Sequence, residues 1–141
     1  MQIDDTEDSR VQQALEAFCM LLALRSWHAD WSQVRCALTI KGDNIAALST
    51  IVKLQPKSAT LGIISRELAL DIADSLYAPT VVEHIPGVVN KTADALSRRY
   101  EPSDKHWEVP VYLRDTMELL PKRSRTWWRS LEPLALTDKV R

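Results

Sequence analysis

Residues 35–54 read RCALTIKGDNIAALSTIVKL, and the change of pattern inside this stretch decides the fold class. Its first part, Arg35–Lys41, is rich in apolar and β-branched residues without a helical period, which predicts a short strand. In the turn that follows, the side chain of Asp43 or Asn44 can accept a hydrogen bond from the first turn of a helix. Apolar residues then recur at helical spacing as far as about Leu54. We therefore expect a strand, a turn and a helix in succession, which is typical of an α/β fold.

Helices and strands continue to alternate on both sides of this stretch. Apolar periodicity and breaking residues predict helices over Gln12–Trp31, Ile45–Leu54, Thr60–Tyr77 and Lys91–Tyr100, and a second strand over Thr80–Ile85. Because helices separate the two strands, the strands should pair in parallel through crossover connections. Two parallel strands alone make a poor sheet, so the pattern predicts part of a larger α/β sheet.

The helix predicted over residues 60–77 is amphipathic. Its apolar residues recur at helical spacing and are expected to face the core: Leu61, Ile64, Leu68, Ile72 and Leu76. Its charged residues are expected to face solvent: Arg66, Glu67, Asp71 and Asp74.

The chain divides into three parts by composition. Residues 1–11 are polar and are expected to be disordered, residues 12–100 form the predicted domain, and residues 101–141 form an irregular tail with recurring prolines. The tail carries the basic run Lys122–Arg125 beside the tryptophan pair at 127–128. This composition leaves two interpretations, a solvated linker or a segment that binds nucleic acid through charge and base stacking.

Composition predicts an intracellular globular protein without a membrane partner. The hydrophobic fraction is 45% and the formal net charge is −1, so no overall basic field indicates nucleic acid. No apolar run reaches the roughly 18 residues of a membrane span, and the N-terminus lacks the layout of a signal peptide. Cys19 and Cys36 lie in apolar surroundings outside any CxxC pair, so we expect both cysteines to be buried and to behave as small apolar residues. The three histidines are too scattered for a zinc site.

Three acidic residues occupy positions that suggest chemistry. Glu16 lies within a mostly apolar helix, Asp43 follows a predicted strand, and Asp94 lies in the first turn of a predicted helix. Each position alone has an ordinary explanation, because a lone glutamate is usually solvated and an aspartate near a helix start is favoured as a cap or by the helix dipole. Each position alone is therefore weak evidence for a functional site, and only the combination of the three indicates one.

The segment His84–Arg98, HIPGVVNKTADALSR, resembles the signature H-[IV]-P-G-x-x-N-x-x-A-D-x-L-S-R of ribonuclease H domains in gypsy-type LTR retrotransposon polyproteins. The stretch Leu38–Leu48 looks like the strand of that family with its D-N-x-A-A-L aspartate. The stretch Ala14–Trp27 is similar to its glutamate-bearing helix. The three segments follow the order of the family, and the resemblance covers about residues 12–100.

The resemblance implies hydrolysis of the RNA strand of RNA/DNA hybrids. In this family four carboxylates hold two Mg²⁺ ions at the scissile phosphate, and one ion activates water while the other stabilises the leaving oxygen. Glu16, Asp43 and Asp94 are implied as three of the four catalytic and metal-binding carboxylates. The implied partners are the hybrid and the upstream reverse transcriptase region. Substrate contacts are expected through backbone and 2′-hydroxyl groups, from Asn44, Asn90, Lys91 and Arg98.

One feature of the family has no counterpart in the pattern of this chain. The first aspartate of the family lies on the first of three antiparallel strands before the glutamate helix, whereas residues 1–15 carry no strand pattern. We therefore expect a partial ribonuclease H-like fold without the first three strands, weak or no cleavage by this chain alone, and self-association through the exposed edge of the strand at 35–41. A catalytically inactive, truncated or domesticated remnant that only binds nucleic acid or a partner is the alternative, and an unrelated α/β binding module is a third interpretation.

Overall fold

The computed structural model describes residues 5–86, 89–100, 108–120, 122–124 and 126–131. Within these ranges the chain is a mixed α/β structure, as predicted. The helices are α1 (Asp5–Ser26), α2 (His28–Trp31), α3 (Ile45–Lys53), α4 (Ala59–Ala73), α5 (Lys91–Ser97) and α6 (Val111–Arg114). The strands are β1 (Ala37–Gly42) and β2 (Ala78–His84), and a C-terminal 3₁₀ turn covers Arg129–Leu131.

The two strands pair in parallel, which confirms the prediction, and they form a two-stranded sheet within the described residues. In this register Thr39 lies opposite Val81, and Gly42 lies opposite His84. The backbone N–H of Ile85 donates to the carbonyl of Gly42 at 2.8 Å, which continues the pairing beyond the last strand residue. The carboxyl ends of both strands therefore meet at one edge of the sheet, where α/β proteins commonly bind ligands.

Side-chain caps fix where the two longer helices after β1 begin. The Oδ1 atom of Asn44 accepts a hydrogen bond from the backbone N–H of Ala47 at 3.0 Å, so Asn44 is the cap of α3. The hydroxyl of Ser58 caps α4 in the same way. Each cap satisfies a backbone donor that the first helical turn leaves without a partner.

Helix α1 begins earlier than the pattern predicts, because residues 5–11 are helical and the predicted disorder of residues 1–11 is wrong for that part. Residues 1–4 lie outside the described residues. Glu7 and Asp8 stand in the first turn, where negative charge favours a helix. The helix ends at Ser26, and α2 follows as a separate short helix, so the single helix predicted over 12–31 is divided in two.

The core lies where α1 crosses α3 and α4. It consists of apolar side chains from these three helices together with one tyrosine: Ala17, Leu21, Leu24, Ala47, Ile51, Leu61, Ile64, Leu68 and Tyr77. Partly buried residues of β1, Leu38 and Ile40, pack against this cluster. Burying one face of each helix in this way is the main source of stability expected for such a layer of elements.

The sequence pattern predicts that all four charged residues of α4 face solvent, and this prediction is wrong for two of them. Glu67 is completely buried and Asp71 is only 6% exposed, although Arg66 and Asp74 are exposed. The reason is that residues 126–131 lie over this face and place hydrogen-bond donors on its carboxylates. Within the predicted irregular tail over 101–141, residues 126–131 are therefore ordered: they end in a 3₁₀ turn and pack against α1 and α4.

Across the ranges given above, no helix is long and apolar enough to cross a membrane.

Candidate carboxylate site

The end of β1 lies against the middle of α1. Gly42 is buried, and a Cβ atom at this position would come within 3.0 Å of the Cε atom of Met20. A glycine therefore allows the strand to approach the helix closely. Met20 and Glu16 are four residues apart on α1 and so lie on one helix face. Asp43 directly follows Gly42, which brings its side chain toward the turn of α1 that carries Glu16.

Glu16 lies close enough to Asp43 for the charge of the aspartate to raise the pKa of Glu16. Partial burial raises the pKa of Glu16, and the negative charge of Asp43 raises it further. Hydrogen bonds from Gln12 and Asn44 act in the opposite direction without cancelling the shift. The Nε2 atom of Gln12 lies 3.4 Å from Oε1 of Glu16, one helical turn away. The result is a pair of carboxylates held near each other with amide groups around them.

His84 belongs to the same edge of the sheet. Its Nε2 atom lies 3.1 Å from the backbone carbonyl oxygen of Asp43. Because a carbonyl oxygen only accepts hydrogen bonds, this nitrogen carries the proton in that contact. The histidine at the end of β2 thus connects the two strand ends through this hydrogen bond.

Asp94 lies in the first turn of α5, as predicted, but it pairs with a neighbour on its own helix. Its Oδ1 atom accepts a hydrogen bond from Nε of Arg98 at 3.1 Å, and the aspartate side chain is 45% exposed. Among the residues that the structure describes, no three histidine, cysteine, aspartate or glutamate side chains come together as a metal site would require. The predicted set of three carboxylates is therefore brought together in part: Glu16 meets Asp43, and Asp94 is engaged by Arg98.

The expected substrate contacts fall into two places. Asn44 lies beside Glu16 and also caps α3. Asn90, Lys91 and Arg98 lie at or on α5 instead. No side-chain hydrogen bond joins Asn90 to the first turn of α5, so the capping explanation that applies to Asn44 does not apply to Asn90.

The donor chemistry of the Glu16–Asp43 pair fits one hard divalent cation. Mg²⁺ takes carboxylate oxygens and retains several waters, so two carboxylates are a sufficient protein contribution to a single ion. Burial is the main cause of the raised pKa of Glu16, and a cation at this position would offset the second cause, the repulsion by Asp43. The complete two-ion site of the family needs more carboxylates than this pair supplies.

Two features of this site have only faint signals in the sequence. Gln12 stands four residues before Glu16, a spacing that places both on one helix face, but many helices carry such a pair. The close approach of Met20 to Gly42 depends on how α1 crosses β1, and only the glycine immediately before Asp43 indicates it.

Comparison with known proteins gives no match: no protein-family model, no curated protein and no solved structure is similar to this chain.

Proposed function

We propose that this chain is an intracellular ribonuclease H-type domain of a retroelement lineage, which acts with Mg²⁺ on the RNA strand of RNA/DNA hybrids. The observation that carries this proposal is the approach of Glu16 to Asp43 at the carboxyl end of β1. These two residues come from separate segments, and the motif resemblance assigns both of them to the metal. A chance resemblance gives no reason for them to meet.

The arrangement of elements supports the same proposal. A helix with the candidate glutamate packs beside a strand that ends in the candidate aspartate, and β2 lies parallel to that strand. The motif that contains Asp94 begins at the end of β2. This is the order expected of a partial ribonuclease H-like fold.

The residues of the chain have distinct parts in the proposed chemistry. Glu16 and Asp43 would hold the cation, and a bound Mg²⁺ would supply an activated water and stabilise the leaving oxygen. Asn44 lies beside Glu16 and acts to lower the pKa of this carboxyl group. Lys91 and Arg98 would contact backbone phosphates, and Asn90 would contact a 2′-hydroxyl, since hybrids are recognised mainly through these groups.

A second candidate function is binding of the hybrid without cleavage. The observation that favours it is the ion pair between Asp94 and Arg98, because this pair occupies the carboxylate that the motif assigns to the metal. In this case α5 would still contribute its cationic residues to nucleic-acid binding.

A hybrid cleavage assay separates these functions. The full chain is incubated with a fluorescent RNA/DNA hybrid in Mg²⁺ or in a chelator, and binding is followed in parallel by fluorescence anisotropy. The proposal predicts slow, Mg²⁺-dependent cleavage of the RNA strand that Asp43→Asn and Glu16→Gln abolish. Asp30→Asn is the matched control, because Asp30 is an exposed acid on α2 outside the site.

The remaining outcomes are equally clear. Binding of the hybrid without cleavage that depends on Asp43 would support the second function. A chain that neither binds nor cleaves the hybrid, while it retains its helical circular dichroism signal, would overturn both.

A further inference from the structure

The C-terminal 3₁₀ turn is bound through a buried carboxylate. Oε1 of Glu67 accepts hydrogen bonds from the backbone N–H of Ser130, at 2.7 Å, and from the Ser130 hydroxyl. Oε2 of Glu67 accepts from the backbone N–H of Arg129 at 3.0 Å and from Nη2 of Arg25 at 2.7 Å. Three of these four donors belong to the C-terminal segment. The segment therefore both covers Glu67 and supplies most of the hydrogen bonds that its carboxylate accepts. Release of the segment would expose the carboxylate to water, which can replace these donors.

Neighbouring groups recognise the side chains of the same segment. The guanidinium of Arg25 lies 4.4 Å from the ring centre of Trp127, and it also donates to the Trp127 carbonyl. Nη1 of Arg129 lies 3.1 Å from Oδ1 of Asp71, and its other terminal nitrogen pairs with Asp74. The cleft therefore has separate positions for an aromatic ring and for a cation.

The ring of Phe18 on α1 extends this cleft. It stacks on Trp128 with ring centres 5.7 Å apart and meets the edge of Trp127 at 5.7 Å. Contacts of this geometry contribute beyond the apolar area that they bury.

Residues 98–125 connect α5 to the segment. In residues 98–125 the described part forms one helix of four residues, α6, and most of residues 111–120 are exposed. Fully extended, a connection of this length spans on the order of 90 Å. Arg123, just before the segment, also contacts this surface, with its guanidinium 5.6 Å from the ring centre of Phe18 and 5.8 Å from that of Trp127. The segment is therefore held by Arg123 and by its own contacts with the cleft, and not by the exposed residues 111–120.

We propose that Arg25, Glu67 and Asp71 form a peptide-recognition cleft whose ligand is the segment Trp127–Ser130, and that the cleft binds this segment reversibly, from a second copy of the chain as well as from its own. The cleft contacts two backbone N–H groups, of Arg129 and Ser130, and the hydroxyl of Ser130. It also contacts the indole ring of Trp127 and the guanidinium of Arg129. Occupation from the same chain dominates in dilute solution, because a tethered ligand has an effective concentration of roughly millimolar. Exchange of the segment between copies needs no rearrangement of the helical core.

A labelled peptide tests the cleft in the full-length chain. The probe is a fluorescein-labelled peptide of residues 123–131, and the opened host is the full chain with Trp127→Ala and Arg129→Ala. Fluorescence anisotropy should show saturable binding to the opened host and at least tenfold weaker binding to the unsubstituted chain, whose own segment competes. A peptide with Arg129→Ala should bind the opened host at least tenfold more weakly, because hydrogen bonds between charged groups are lost.

The cleft side is tested by Glu67→Gln in the opened host, which should weaken peptide binding by at least tenfold. Glu83→Gln is the matched control, because Glu83 is an exposed acid on β2 and should leave binding unchanged. Equal binding of the Arg129→Ala peptide, no effect of Glu67→Gln, or no saturable binding would each overturn the proposal. An opened host that loses its helical circular dichroism signal would also contradict it, since a reversible ligand leaves the helices folded. If only the Glu67→Gln host unfolds, the proposal is tested by comparing the unsubstituted and Arg129→Ala peptides on the opened host.

Discussion

Nη2 of Arg25 lies 2.7 Å from Oε2 of Glu67, and the glutamate side chain is completely buried. Burial alone would raise the pKa of Glu67, but hydrogen bonds from Ser130, Arg25 and the backbone of Arg129 outweigh burial and lower the pKa. Glu67 is therefore ionised at neutral pH and depends on Arg25 for compensation. Such a pair is most sensitive to the loss of one partner, because the other charge stays buried.

Replacement of Arg25 is expected to be strongly destabilising. Arg25→Ala leaves Glu67 and Asp71 without their main cation, and removing one partner of a buried ion pair costs about 3–5 kcal/mol of unfolding free energy. Urea denaturation measures this cost. The control is Lys41→Ala, which breaks the exposed pair with Glu83 and should cost less than about 1 kcal/mol. Similar losses in the two variants would contradict the compensation of Glu67 by Arg25.

The stability of the chain should depend on pH through Glu67. Its folded-state pKa lies below the ordinary value of 4.5, so its contribution is fully present above about pH 4.5 and is lost as the pH falls through the folded-state pKa. Denaturation measured between about pH 7 and about pH 3 should therefore show stability falling at acid pH. Glu67→Gln should be less stable at neutral pH, and the difference from the unsubstituted chain should shrink as the pH falls. A difference that stays constant over this range would show that Glu67 does not titrate as described.

Trp127 should contribute to stability although it lies far from the core residues in sequence. Its ring contacts Phe18 and the guanidinium of Arg25, and Trp127→Ala is expected to cost about 2–4 kcal/mol in urea denaturation. Trp27→Ala is the control, because Trp27 is half exposed and its replacement should have a small effect. Equal losses would indicate that the tryptophan segment is not part of the folded unit.

The sequence predicts the parts of the fold that local signals determine. Strand β1, the cap at Asn44 and helix α3 follow from neighbouring residues, and the prediction of parallel strands follows from their order. The burial of Glu67 does not, because its partner Ser130 is 63 residues away. Viewed locally, Glu67 and Asp71 look like the solvent face of an amphipathic helix, and residues 126–131 look like part of a basic tail.

The same distinction applies to the candidate site. The motif resemblance assigns Glu16 and Asp43 to one metal site, and in the structure the charge of Asp43 acts on Glu16. Asp94 and Arg98 stand four residues apart on one helix, a spacing that favours an ion pair. The sequence therefore contains both a motif that assigns Asp94 to a metal and a local partner that engages it, and the pattern alone does not decide between the two.

The interaction of Glu16 with Asp43 gives a final prediction. Because the pKa of Glu16 is raised in the folded state, its ionisation opposes folding at neutral pH. This penalty decreases as the pH falls through the folded-state pKa and is gone below the ordinary value of 4.5. Asp43→Asn should lower the pKa of Glu16 in an NMR titration of its carboxyl carbon, because the charge of Asp43 is one of the causes that raise it. Mg²⁺ should raise the melting temperature of the unsubstituted chain and have a smaller effect on Asp43→Asn, since binding to the folded state alone stabilises it. Asp30→Asn is the control for both measurements, because Asp30 is an exposed acid outside the pair. A pKa of Glu16 that does not respond to Asp43→Asn would mean that the two carboxylates do not form a common site.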